Sequence, residues 1–176
     1  MTSGLYLEQL IAYYKSTFDL ESPWTFHDVE YSAYGYFYSH NEKFVLTKEA
    51  QMWETNSYEH IFFCEKEGLA PADIEAADHM IRTLAEPELV RGGDKYPPKN
   101  HMYTYLTYVF LCSSPVDPAA ADAVRRYHFT RNYLFTVRGW CEARMIAVDL
   151  AENRAWGNQK AKPVLKLYRR LLDEGR

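Results

Sequence analysis

The run LFTVRGWCEARMIAVDL, from Leu134 to Leu150, is the longest strand-like stretch in the chain and constrains the fold more than any other segment. β-Branched and aromatic residues dominate it, and a lone Gly139 stands where a bulge or bend would fall. The turn-forming residues beyond Asp149 lead to a second short apolar piece around Ala155 and Trp156, so a hairpin is the simplest reading. Phe135, Val137, Ile146 and Val148 alternate with Thr136, Arg138, Cys141 and Met145, and neither face is cleanly polar. Such a strand sits inside a sheet, and helices are expected against one face of it.

The remaining elements are placed around that strand. Leu7, Leu10, Ile11, Tyr14 and Phe18 follow helical spacing from Ser3, and the pattern stops near Asp19 ahead of Pro23. From Trp24 to Ser39 the period becomes two, with Tyr31, Ala33, Gly35 and Phe37 on one face and Ser32, Tyr34, Tyr36 and Tyr38 on the other. His40, Asn41 and Glu42 read as a turn into a strand over Lys43 to Thr47, and Asn56 with Ser57 as a turn between Ala50 to Thr55 and the apolar Tyr58 to Cys64. Pro71 opens a helix whose apolar face runs through Ile74, Ala77, Ile81, Leu84 and Ala85, and Pro87 is expected to end it. VRGGDKYPPKN, from Val90 to Asn100, has loop composition, and Met102 to Cys112 is a central strand. Asp117 and Pro118 start a helix carrying Ala121 and Val124 inward, and Pro163 starts another with Val164, Leu167, Tyr168, Leu171 and Leu172 on its apolar side. The expected class is α+β, one domain over residues 1–176, with a mixed, mainly antiparallel sheet and helices packed on it.

Composition removes several classes. No apolar run reaches membrane-spanning length, and MTSGLYLEQL lacks the features of a secretory signal, so a soluble, cytoplasmic protein is expected. Cys64, Cys112 and Cys141 are far apart in strand-like runs and read as reduced, buried thiols. The six histidines show no metal-ligand spacing, and no nucleophile elbow, dinucleotide fingerprint or P-loop occurs, so neither a cofactor nor a resident metal is expected. The net charge of −4 divides unevenly. Through Asp117 there are 8 basic against 18 acidic residues, and beyond it 12 against 6, giving −10 and +6. Acidic and basic surfaces that meet within the fold, or across a homodimer, account for such a division, as does a nucleic-acid face formed by Arg125, Arg126, Arg138, Arg144, Lys166 and Arg169.

YFYSHNEKF from Tyr36 to Phe44, the segment from Trp53-Glu54 to Glu59-His60, and Gly139-Trp140 with Val148-Asp149-Leu150 resemble an uncharacterised bacterial domain family over most of the chain. That resemblance implies a single domain and carries no chemistry. In element order alone, the chain also resembles the restriction-endonuclease-like nucleases, whose metal-dependent chemistry needs an acidic residue on one strand and a carboxylate and lysine spaced E-x-K on the next. Glu54 (or Glu49), Glu65 and Lys66 are the candidates, but Lys66 directly follows Glu65 and strand alternation sends the two side chains to opposite faces. The favoured reading is a non-catalytic binding domain that uses an aromatic sheet surface. Tyr34, Tyr36, Tyr38, Trp53 and His60 would form it with Glu54 and Glu59 at the rim, which suits a cationic or amphipathic ligand or protein partner.

Overall fold

The fold is given by a computed structural model that describes residues 1–43 and 53–175, with the backbone alone for Glu42, Lys43, Trp53 and Glu54. In chain order the elements are α1 (Ser3–Tyr14), β1 (Asp19–Glu21), β2 (Trp24–Phe26), β3 (Val29–Tyr31), β4 (Ala33–Lys43), β5 (Trp53–Lys66) and α2 (Pro71–Met80). A π-helical continuation of α2 follows over Ile81–Val90, then β6 (His101–Cys112), α3 (Pro118–Arg126), β7 (Thr130–Asn132), β8 (Trp140–Asp149), β9 (Arg154–Gly157) and α4 (Lys162–Glu174). The class is α+β, and its main sheet runs in the order β1-β4-β5-β6-β8-β7, with β9 also paired to β8.

The sheet is mixed. β5, β6 and β8 are parallel neighbours, whereas β1–β4, β4–β5, β7–β8 and β8–β9 are antiparallel, as is the separate β2–β3 ribbon. Parallel neighbours need long crossovers, and the two here are α2 with its continuation, and α3. Both cover one face, with Ile74, Ile81, Ala121 and Val124 packed on Phe62, Leu106, Phe110 and Met145. Helices α1 and α4 cover the other, where Leu10, Tyr168 and Leu172 meet Ile61, Phe63, Val109 and Ile146. Helices thus lie on both faces rather than one, because the three parallel strands are apolar on both sides.

Several expected boundaries move, each for a local reason. The central strand begins at Trp140, not Leu134: Leu134, Phe135 and Thr136 have positive φ, and Phe135 is 97% and Val137 80% exposed. This stretch is a tight loop joining β7 to β8, closed by Tyr133 N–H donating to Gly139 O at 3.0 Å. Trp24 to Ser39 is not one strand either, since His27 and Asp28 turn at positive φ and fold β2 against β3. The break at Ser32 puts Tyr31 on the same side as Tyr34, not with Ala33. The expected turn at His40–Glu42 lies within β4, and most of the strand expected over Lys43 to Thr47 falls outside the described residues. Asn56 and Ser57 form no turn; they mark a bulge inside the continuous β5. Pro87 does not stop its helix, because the i to i+5 pattern accommodates a residue without an N–H and the segment continues to Val90. In α4 the inward stripe includes Leu165 with Tyr168, Leu171 and Leu172, while Val164 and Leu167 are only partly covered.

Among the described residues no helix is long and apolar enough to cross a membrane. All three cysteines are unbridged, Cys112 and Cys141 fully buried and Cys64 half-buried. Burial pushes each thiol up, Cys112 to about 12, which disfavours the reactive thiolate form.

Candidate functional site

Strand alternation puts Tyr34, Tyr36 and Tyr38 on the α2/α3 side of β4, and the antiparallel register sets Tyr36 opposite His60 and Tyr38 opposite Tyr58. Ring centroids are 5.3 Å apart in the first pair and 5.2 Å in the second, and Tyr58 stacks in turn on His101 at 5.9 Å. Cover over this face is graded. At its lower end the β2–β3 ribbon folds across, and Trp24 stacks on Tyr34 at 3.9 Å, so Tyr34 is core. Beyond the ribbon Tyr36 and Tyr58 are half-buried and Tyr38 is 48% exposed, its hydroxyl donating to Asn56 Oδ1 at 3.1 Å. The Trp53 side chain lies outside the described residues.

His60 lies beneath this open part. Its Nδ1 is 2.6 Å from the Tyr34 hydroxyl, and its Nε2 is buried with no hydrogen-bond partner. A buried polar atom without a partner costs about 1 to 3 kcal/mol, which a ligand or water can offset. Burial lowers the His60 pKa from 6.5 to about 4, so the ring is neutral at physiological pH. Burial also lowers His101, which bonds the Arg138 carbonyl and Thr104 Oγ1. A histidine whose folded pKa lies below its unfolded value binds its proton better in the unfolded chain. The stabilisation is therefore complete above about pH 6.5 and is lost as pH falls towards 4, by about 1.4 kcal/mol per pH unit for one such ring. Urea unfolding at pH 7 and pH 5 is expected to show this loss, and His60→Asn to shrink it; an unchanged slope in the variant would assign the loss to other groups.

The expected rim differs. Glu59 points to the opposite face, where it accepts from Arg144 Nη1 at 2.8 Å and Thr107 Oγ1 at 2.6 Å, and the Glu54 side chain is outside the described residues. The carboxylates beside the tyrosines are instead Asp19 and Glu21, both exposed, which β1 brings level with Tyr36 and Tyr34. They were missed because a three-residue edge strand has no periodicity to read.

Of the residues considered for metal-dependent cleavage, Glu65 faces Gly4 of α1, whereas the Lys66 ammonium on the opposite face pairs with the Asp73 carboxylate. Among the described residues no three His, Cys, Asp or Glu side chains are grouped to hold a metal ion.

The basic candidates divide. The Arg144 guanidinium lies 3.6 Å above the Tyr105 ring and is tied to Glu59, Arg138 donates to the Pro97 carbonyl, and Arg126 is exposed at the end of α3. Arg125, Lys166 and Arg169 converge with Lys162 and half-buried Trp156 on a cleft of about 600 Å³ between β9 and α4. Another buried constellation gave no sequence motif. Glu86, fully buried in the π-helical segment, accepts from Arg91 Nε at 2.8 Å, Arg131 Nη1 at 3.0 Å and the Tyr133 hydroxyl at 2.6 Å.

No curated protein and no solved structure matches the chain. One family model does, over residues 2–170. A match of that extent assigns the chain to the family described as Domain of unknown function (DUF8052).

Proposed function

We propose that the chain is a non-catalytic binding domain whose ligand surface is the open part of the tyrosine face, formed by Tyr36, Tyr38 and Tyr58 over His60. The observation that carries the reading is the graded cover. The ribbon closes the face over Tyr34 but stops short of Tyr38, leaving Tyr38 exposed and Tyr36 and Tyr58 half-covered beside a buried imidazole nitrogen that has no partner. The ring faces offer negative quadrupoles, and Asp19 adds a carboxylate next to Tyr36, so the surface suits a cationic or amphipathic partner. The acidic first part of the chain, at −10, attracts the same class.

The test is calorimetric titration with a short arginine- and lysine-rich peptide. Tyr38→Ala is expected to weaken binding roughly tenfold while changing stability by less than about 1 kcal/mol, because the ring is half exposed. A binding loss accompanied by about 3 kcal/mol or more of destabilisation, which is what a core aromatic deletion costs, would return Tyr38 to a structural role. The nucleic-acid-directed alternative, with a restriction-endonuclease-like core, retains one favourable observation, the convergence of Arg125, Lys166 and Arg169 on one cleft.

A further inference from the structure

The geometry points to the cleft between β9 and α4 as a binding site for a small molecule carrying two or more phosphate groups, held by Arg125, Lys162, Lys166 and Arg169. The lining supplies four cations and no carboxylate; Trp156, Gly157, Gln159 and Leu165 complete it. Its volume of about 600 Å³ is within the range of small-ligand sites.

The convergence follows from helix geometry. Lys162, Leu165, Lys166 and Arg169 stand at i, i+3, i+4 and i+7, hence on one stripe of α4. Leu165 is buried at the floor, and the three cations stay exposed around it. Arg125 comes from α3 on the far side, its guanidinium 5.7 Å from the centre of the Trp156 ring.

The arrangement works against the helix that carries it. Lys162 and Lys166 are like charges four apart, and Lys166 and Arg169 three apart, and such pairs destabilise a helix. Lys162 also begins α4, where the helix dipole disfavours a cation, and the first turn contains no acidic residue. Among the described residues no carboxylate pairs with Lys162 or Lys166. Arg169 donates to the Ala155 carbonyl and Arg125 pairs with Asp122, which is not part of the lining, so both guanidiniums are oriented while Lys162 and Lys166 keep no carboxylate partner among the described residues. A phosphate-bearing ligand removes the repulsion and meets the positive end of the helix. An adjoining cleft of about 450 Å³ shares Arg125, Trp156 and Arg169 and adds Arg154 and Asp173, so a carboxylate enters the lining only there.

The experiment is calorimetric titration of the intact chain with inorganic tripolyphosphate, with ATP and with a single-stranded oligonucleotide, each at two salt concentrations. Tripolyphosphate and ATP are expected to bind, and Lys166→Gln and Arg169→Gln each to weaken binding roughly tenfold. Lys99→Gln, an exposed lysine on the loop before β6, is expected to leave it unchanged. Thermal melts of the variants check folding, and removal of Lys166 is expected to raise Tm slightly by relieving repulsion. The inference is overturned if neither phosphate compound binds, or if Lys99→Gln weakens binding as much as Lys166→Gln, which would indicate general attraction to cations. It is equally overturned if only the oligonucleotide binds, with a steep salt dependence, because the cleft would then be one part of a nucleic-acid surface.

Discussion

Gly139→Ala is expected to cost about 3 to 5 kcal/mol and to lower Tm by roughly 10 °C in a chain of this size. Gly139 has φ of +75°, and a Cβ there would stand 2.2 Å from Met102 O and 2.7 Å from His101 O. Both obstacles are main-chain atoms at the start of β6, which cannot swing aside as a side chain does, and β6 is held in register with β8 from Tyr103↔Trp140 onward. The substitution therefore has to break either the β6–β8 edge or the loop that turns β7 into β8. Gly68→Ala is the matched control, with nothing within 4 Å of the added Cβ. It is expected to leave Tm unchanged or raise it slightly through the less flexible unfolded chain. Differential scanning calorimetry compares the two, and equal melting temperatures would mean that the close approach of Gly139 to β6 is not a constraint on the fold.

Glu86→Gln is the second large effect, about 3 kcal/mol by urea unfolding at neutral pH. The Glu86 carboxylate has no exposed surface and receives both Arg91 and Arg131, whose side chains are 15% and 47% exposed. Removing one partner of a buried ion pair costs about 3 to 5 kcal/mol because the remaining charge stays desolvated, and the partial exposure of Arg131 favours the lower end. The substituted side chain would keep one acceptor for Tyr133, but its amide group would turn donors towards guanidinium donors. If the network acts as a unit, Glu86→Gln combined with Arg91→Leu costs less than the sum of the single changes. A loss below about 1 kcal/mol for the single change would show that water reaches this site and replaces the carboxylate.

The long elements were legible because their residues repeat at the right period. Leu7, Leu10 and Tyr14 in α1, the apolar face of α2, the cap formed by Asp117 and Pro118, and the run from Met102 to Cys112 appear where the sequence puts them, although α1 ends at Tyr14, short of Phe18. What escaped was decided by single backbone positions. Phe135 and Val137 have strand propensity, but the left-handed turn closed by Gly139 lifts them off the sheet into solvent. Pro87 has the composition of a helix end, yet a π-helical segment carries it and buries the adjacent Glu86. The tyrosine face was visible as alternation on β4, but its rim was not, since Glu59 and the tyrosines lie on opposite sides of the sheet and Asp19 arrives through strand pairing. Likewise, the basic residues were visible as a set. Only the fold separates Arg144, locked to Glu59 and Tyr105, from Lys166 and Arg169, which share a cleft.

The tyrosine face is tested most directly by following the ring resonances of individual tyrosines while an arginine- and lysine-rich peptide is titrated in. Tyr36, Tyr38 and Tyr58 are expected to shift together with a single dissociation constant. Tyr6 and Tyr168, buried beneath α1 and α4 on the opposite side of the sheet, are expected to stay fixed. Shifts absent from Tyr36 and Tyr38, or spread equally to Tyr6 and Tyr168, would contradict the assignment of this face as the ligand surface.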